Sequence, residues 1–332
     1  GADAAGATLS EGPHRQDKMM LLVDVGTNAE IVALWYPELS DAERAERAKA
    51  YDAFTAVEGA KRAGPLPGLV DAHTHLDACG ARTADDVRAI LDRAGSVGVR
   101  AVVTIADDLE SARWAVDAAG WDPRVYAAVA LHPTRAGALT EDARAELEML
   151  AQHPRAVAIG ETGLDLYWPG RLDGCAEPDV QREAFAWHID LAKRVGKPLM
   201  IHNRDADADV LDVLRAEGPP ESVIFHCFSS DSAMARACVD QGWLLSLSGT
   251  VSFKNAHALR EAAALIPADQ LLVETDAPFL TPHPFRGAPN EPYCLPYTVR
   301  ALAELLGRAP EEVADNSSVT AERVYGLQSC RA

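Results

Sequence analysis

Two histidines one residue apart, His73 and His75, follow the apolar entry Leu69-Val70. On a strand, residues two apart share a face. Both imidazoles can therefore aim at one point, and imidazole is the commonest protein ligand for zinc and similar metals. One His-x-His pair also arises by chance on a half-exposed strand, so its meaning depends on what the rest of the chain supplies. Further polar residues stand just after apolar runs: Asp107-Asp108, His132, Glu161 with Asp165, His202-Asn203-Arg204-Asp205, His226, and Glu274 with Asp276. Of the 10 histidines, His73, His75, His132, His202 and His226 take such positions. Filling a core gives no reason for that placement. The others (His14, His153, His188, His257, His283) read as surface or helix-packing residues.

The set His73, His75, Glu161, His202, His226 and Asp276 exceeds the three or four protein ligands of one catalytic zinc. It suits two ions bridged by a carboxylate and a hydroxide. Glu161 can bridge, with one oxygen for each ion. His73 and His75 would share the first ion with Asp276, and His202 and His226 would hold the second. Asp276 can also take a proton from the bridging water, because metal binding acidifies water. Glu161 and Asp276 are thus the catalytic candidates. Mixed N/O ligation permits Zn, Mn, Co or Fe and leaves Mg open. His132 is placed as an outer or substrate contact, and Arg204 and Arg286 as groups that grip a substrate phosphate in bidentate fashion. For each arginine a surface salt bridge is an equal alternative. Ser229 and Ser248 lack a nucleophile-elbow context, so no Ser-His-Asp arrangement competes. Cys227, next to His226, is expected to point away from it.

These residues need elements that present them together. Short apolar runs alternate with amphipathic stretches from residue 69 on. The runs are Leu69–Ala72, Val99–Ile105, Val125–Leu131, Ala156–Gly160, Pro198–Ile201, Ser222–Phe225, Trp243–Leu247 and Leu271–Val273. Strands without internal polar alternation, each followed by a helix, imply a parallel sheet buried on both faces. Eight of them predict an α/β protein with a (β/α)8 TIM-type barrel, closed by helices after residue 293. The ligand candidates then fall at the C-terminal ends of strands, where barrel active sites lie. A doubly wound open sheet is the alternative, weakened by the lack of a Gly-rich loop after the first strand.

Residues 1–68 read as an N-terminal extension of unknown function. It comprises a lead-in over 1–18 expected to be disordered, a hairpin, and a charged helix from Ser40 to about Lys61 that starts in a capping box with Glu43. Asp24-Val25-Gly26-Thr27 resembles the phosphate loop of actin/hexokinase-like kinases, but a hairpin with a Gly turn is preferred. Ala63-Gly64-Pro65-Leu66-Pro67-Gly68 is a linker, the barrel spans 69–327, and 328–332 form a tail. The chain has 332 residues, 48% hydrophobic, with 31 Lys+Arg against 50 Asp+Glu and a net charge of −19. Such acidity argues against broad, non-specific duplex binding, which relies on neutralising phosphates. Six scattered cysteines without C-x-x-C spacing read as reduced thiols. The apolar run Met19–Val23 stops at Asp24, too short to span a membrane. A cytoplasmic protein with no membrane association and no obligate protein partner is expected.

Asp71-Ala72-His73-Thr74-His75-Leu76-Asp77, Gly160-Glu161-Thr162-Gly163-Leu164-Asp165, Ile201-His202-Asn203-Arg204-Asp205-Ala206, His226-Cys227-Phe228-Ser229 and Glu274-Thr275-Asp276-Ala277-Pro278-Phe279-Leu280 resemble, in order, the signatures of the TatD family of metal-dependent hydrolases. The resemblance implies an amidohydrolase-like barrel and a 3′→5′ exodeoxyribonuclease acting on single-stranded DNA. It implies His73, His75, Glu161, His202, His226 and Asp276 as ligands of two divalent ions (Mg, Mn or Zn), with a third left open. Arg286-Gly287 followed by Asn290-Glu291-Pro292 is similar to the family's Arg-Gly…Asn-x-Pro loop. The alternatives are hydrolysis of another bond, such as a D-aminoacyl-tRNA ester, or a non-catalytic binding protein. Two features depart from the family pattern. Thr320 stands where the closing Thr-Thr-x-Asn element has Asn, and the loop carrying Tyr167, Trp168 and Arg171 is longer than barrel closure needs. That loop could be a lid, a DNA contact with an aromatic that stacks a base, or a subgroup insertion.

Overall fold

The structure, a computed structural model, describes residues 21–23, 31–34 and 40–327. The lead-in over 1–18, the Asp24–Thr27 turn and the tail 328–332 lie outside the described residues. β1 (Leu21–Val23) and β2 (Ile31–Leu34) pair antiparallel, as expected of a hairpin.

Eight parallel strands then alternate with helices: β3 (Leu69–Thr74), β4 (Val99–Ile105), β5 (Val125–Ala128), β6 (Ala156–Asp165), β7 (Leu199–Arg204), β8 (Val223–Phe225), β9 (Leu244–Leu247) and β10 (Leu271–Val273). Each is hydrogen-bonded to the next in sequence order. The first and last strands meet without a regular ladder. Asp276 N donates to His73 O at 3.0 Å and His75 N to Ala277 O at 2.8 Å. Between them, the buried Asp71 carboxylate accepts from Thr275 N at 2.9 Å and Thr275 Oγ1 at 2.6 Å. This seam makes the sheet a nearly closed barrel and removes the open doubly wound alternative.

Two strand limits differ from the sequence reading. β5 ends at Ala128 rather than Leu131, and β6 runs on to Asp165 rather than stopping at Gly160. β6 continues because Thr162, Gly163, Leu164 and Asp165 keep pairing with Ile201 to Arg204. The polar residues Glu161 and Asp165 therefore sit inside a strand.

The surrounding helices are α1 (Asp41–Arg62), α2 (Ala84–Gly95), α3 (Leu109–Trp121), α4 (Glu141–Ala151), α5 (Pro178–Val195), α6 (Asp207–Glu217), α7 (Ser232–Asp240), α8 (His257–Ala263), α9 (Leu295–Leu306) and α10 (Pro310–Tyr325). Ser40 and Glu43 form the expected capping box on α1. Ala56, Val57 and Ala60 of α1 join the main core, and Tyr297 of α9 donates its hydroxyl to Ala56 O at 2.7 Å. The last turn of α10 closes the barrel end opposite the strand tips. Ala321, Tyr325 and Leu327 pack with interior residues such as Val70, Val103 and Ile224, and Tyr325 Oη donates to Ala72 O. Thr320 does not interrupt α10: it is buried, and its Oγ1 donates to Asn316 O at 2.9 Å.

His188 of α5 shows why one buried histidine lies outside the chemistry. Its Nδ1 faces Ala184 O at 2.7 Å, and its Nε2 accepts from Leu131 N at 3.2 Å. A proton on Nε2 would face another N–H, so the ring stays neutral, and burial pushes its pKa down to about 4. An unfolded imidazole titrates near 6.5. Between those values the unfolded chain binds a proton that the folded chain does not. His188 is thus expected to cost on the order of 3 kcal/mol of stability as pH falls from about 6.5 to 4. Denaturant melts of wild type and His188→Gln at both pH values check this. A wild-type loss no larger than the variant's would refute it.

Candidate metal centre

The six proposed ligands come from five different strands or their ends, and the barrel brings their donor atoms into two adjoining groups. In the first, His73 Nε2 lies 3.1 Å from His75 Nε2 and 3.5 Å from Asp276 Oδ1, and His75 Nε2 lies 3.7 Å from the same oxygen. In the second, Glu161 Oε2 lies 2.5 Å from His226 Nε2 and 3.6 Å from His202 Nδ1, with 3.4 Å between the two nitrogens. Ligands about 2.1 Å from a tetrahedral ion stand about 3.4 Å apart. Five of the six separations, from 3.1 to 3.7 Å, are near that spacing, and Glu161 Oε2 to His226 Nε2 is shorter. They adjoin: His73 Nε2 is 3.9 Å from Glu161 Oε2, and the His73 and His226 rings stack at 3.9 Å.

The donor chemistry fits cations. His73 is fully buried, yet its Nε2 faces another imidazole nitrogen and two carboxylates. Glu161 Oε2 is buried without a hydrogen bond of acceptable geometry, although imidazole nitrogens converge on it. Lone pairs gathered on a shared point are costly unless a proton or a cation sits among them. A cation held among these donors would satisfy them.

Each ring is also held from behind. His75 Nδ1 faces Asp107 at 3.7 Å, His202 Nε2 faces Asp165 Oδ2 at 3.1 Å, and His226 Nδ1 faces Glu274 Oε1 at 3.4 Å. Carboxylates behind metal-ligating histidines fix the ring and raise its basicity. His73 instead has Met200 Sδ at 3.1 Å from Nδ1. Asp165 and Glu274 stand close to the ligand candidates Glu161 and Asp276 in the sequence, and Asp107 follows an apolar run as those candidates do; that placement is the signal the sequence carries for them.

The field in the site follows from these contacts. Burial alone would raise the Glu161 carboxyl, but His226 and His132 beside it hold it well below the usual range. Burial lowers His75, and Asp276 with Asp107 overcomes that and brings it up to about 9. His226 is likewise pressed down by burial and driven well above its ordinary value by Glu161. Burial, with His226 next to it, keeps His73 well below its ordinary value. Burial and the neighbouring His202 take His132 down to about 3.

Above these groups opens a cavity of about 430 Å³. His132 is on its wall, with Nε2 3.3 Å from His202 Nδ1 and 3.8 Å from Glu161 Oε1. Arg204 and Trp168 line it too. The Arg204 guanidinium lies 4.1 Å over the Tyr167 ring, and Arg171 is 4.4 Å from the same ring. Phe279 stands at the rim, 54% exposed, with its ring edge-on to His75. Phe279 is a rim residue the sequence analysis does not single out; its place three residues after Asp276 is the signal for it. Arg286 is not on the cavity wall; its guanidinium stacks 3.7 Å over Phe253. Cys227 Sγ points to Ser248 Oγ at 3.3 Å, away from the His226 ring.

A nearly closed eight-stranded barrel whose strand ends gather histidines and carboxylates into two adjoining donor groups defines a metal-dependent hydrolase of the TIM-barrel type. Residues 70–326 match the family described as TatD related DNase. The chain belongs to that family. It is 76% identical over 259 residues to the Mycobacterium tuberculosis protein named uncharacterized metal-dependent hydrolase TatD, covering 78% of this chain and 98% of the relative. It is 30% identical to an Erwinia tasmaniensis protein named 3′-5′ ssDNA/RNA exonuclease TatD, covering 74% of this chain and 95% of that one. The crystal structure of YjjV, a TatD homologue from Escherichia coli, superposes with a TM-score of 0.72 at 26% identity, over 79% of this chain and 100% of that chain. Among the described residues no helix is long and apolar enough to cross a membrane.

Proposed function

We propose that this hydrolase is a phosphodiesterase that removes nucleotides 3′→5′ from single-stranded nucleic acid, DNA first, with two divalent ions in the strand-end groups. The observation that carries the reading is the pair of donor groups sharing the Glu161 neighbourhood beneath a cavity of about 430 Å³ with a guanidinium and aromatics around it. That size suits one nucleotide rather than a duplex. The name of the Erwinia relative supports the same substrate.

Divalent ions there would acidify water and offset charge on a phosphodiester. The chain's own residues do the rest. His73, His75 and Asp276 hold the first position, and Glu161, His202 and His226 the second. Asp276, at the mouth of the first group, accepts a proton from attacking water. Arg204, pre-set against Tyr167, meets a phosphate oxygen with a planar fork. His132, kept neutral, offers a hydrogen bond at the cavity wall without a charge that would repel the cations. Trp168 and Phe279 give the base of the departing nucleotide apolar surface to stack on.

The test is a 3′-labelled single strand, the same strand as duplex, and an aminoacyl-tRNA ester, each with Mg, Mn or Zn. The expected result is stepwise loss of 3′ nucleotides from the single strand. Ester cleavage without DNA cleavage would replace this reading with the tRNA alternative. Phe279→Ala tests the rim. KM should rise about fivefold or more with kcat little changed, because a base-stacking contact contributes about 1–3 kcal/mol to ground and transition states alike. An unaltered KM would remove Phe279 from substrate binding.

A further inference from the structure

A second cleft, of about 620 Å³, lies between the loop after β9 and helix α9. Two cationic side chains, Arg260 and Arg300, line it together with His283 and one carboxylate, Glu304. Lys254, on the loop after β9, and Arg286, on the loop after β10 that also carries His283, are exposed. The cluster is built, not incidental. Arg260 donates from Nε to Val251 O at 3.1 Å and from Nη2 to Phe253 O at 2.6 Å. Arg300 donates to the carbonyls of Ala63 and Gly64. The Phe253 ring carries the Arg286 guanidinium on its face and His283 edge-on at 6.2 Å.

The chain has a net charge of −19, and many of its arginines, such as Arg88, Arg113, Arg124 and Arg194, are in ion pairs, whereas others, such as Arg155 and Arg323, are held on backbone carbonyls as Arg260 and Arg300 are. Among the described residues, Lys254, Arg260, Arg286 and Arg300 have no carboxylate within the 4.0 Å of an ion pair. Like charges drawn together without counter-charges disfavour the fold unless an anion is their partner. Guanidinium groups fixed by carbonyls offer their remaining N–H donors in a set geometry, which matches phosphate.

The cleft and the metal cavity share no lining residue, but one loop links them. The loop after β10 runs from Asp276 through Phe279 at the cavity rim to His283 in the cleft, at most about 25 Å of chain. It is pressed onto the loop after β9: His283 N donates to Ser252 Oγ at 2.9 Å, and a Cβ on Gly249 would meet Leu280 O at 2.2 Å. A strand that leaves the metal cavity past Phe279 and follows this loop meets the cleft. We propose that the cleft is a second phosphate-binding subsite, which takes the backbone of the nucleic-acid strand several nucleotides from the end being processed. This rests on the nuclease reading above, and it gives Arg286, absent from the metal cavity wall, a contact of its own.

The experiment compares wild type with Lys254→Glu/Arg286→Glu, both exposed positions, after metal removal with EDTA. Fluorescence anisotropy reads the affinity for a labelled single-stranded dodecamer and a labelled dinucleotide. The expected result is a loss on the order of tenfold or more for the dodecamer and a much smaller change for the dinucleotide. The slope of log affinity against log salt for the dodecamer should flatten by about 1 to 1.5. The neutralised pair Lys254→Gln/Arg286→Gln should fall between, and circular dichroism reports whether each variant is folded. Equal losses for both lengths, or an unchanged dodecamer affinity, would overturn the subsite. Wild type that cleaves no DNA or RNA with any metal overturns the nuclease reading instead, and the metal-free binding comparison still decides the cleft.

Discussion

Glu161→Gln should lower hydrolysis by on the order of 10³-fold or more and reduce the metal bound per chain. The carboxylate stands where both donor groups meet: its Oε2 is 2.5 Å from His226 Nε2 and 3.9 Å from His73 Nε2. An amide keeps the shape of the side chain but gives up its charge and one of its two acceptor oxygens. The remaining imidazoles then face a centre with less negative charge to hold two cations. Metal analysis of protein purified without chelator should find two ions per chain in wild type and fewer in the variant. The structure also sets the pH dependence of loading. Metals must displace protons from His75, raised to about 9, and from His202 and His226, which are raised as well. Affinity therefore falls as pH drops through the neutral range and is fullest on the alkaline side. Full activity with full metal content in Glu161→Gln would exclude the bridging role, and a metal affinity flat with pH would exclude the proton competition.

The residues that carry this prediction were legible for a simple reason. Strand ends in a parallel barrel converge, so polar residues that follow apolar runs must meet whatever the details of the helices. His73 and His75 kept the two-residue alternation and share one point as expected. What the sequence did not disclose were contacts that depend on backbone leaving the strand geometry. Asp276 has φ 52° and Cys227 has φ 41°, left-handed values at which alternation no longer says where a side chain points. Glu274 thereby comes to lie behind His226, two residues before a ligand of the other group. Arg286 is a different case. Its motif fixed its presence in the loop after β10, but the ring of Phe253, thirty-three positions earlier, decides where its guanidinium rests. The N-terminal helix is another. Its composition is that of a charged surface helix, yet Ala56, Val57 and Ala60 bury one stripe against the barrel.

Gly163→Ala should destabilise the protein by about 3 kcal/mol or more and cost it metal as well, although position 163 touches no ion. Gly163 has φ 136°, a region that side chains rarely enter. A Cβ there would stand 2.1 Å from His202 O and 3.1 Å from Ile201 Cγ2. The first of these is backbone and cannot swing aside, so β6 and β7 must part. They would part where Gly163 pairs with His202, two residues past Glu161. The 3.6 Å approach of His202 Nδ1 to Glu161 Oε2 and the 3.1 Å contact of His202 Nε2 with Asp165 Oδ2 both depend on that pairing. Gly170→Ala supplies the comparison. Gly170 also has a positive φ, 73°, but nothing stands within 4 Å of its Cβ position. It should lose only about 1 kcal/mol, the cost of the left-handed backbone alone. Thermal melts and metal content of the two variants, measured side by side, separate conformational strain from strand separation. If Gly163→Ala and Gly170→Ala lose the same stability and both keep full metal, close packing of β6 on β7 does not hold the centre together.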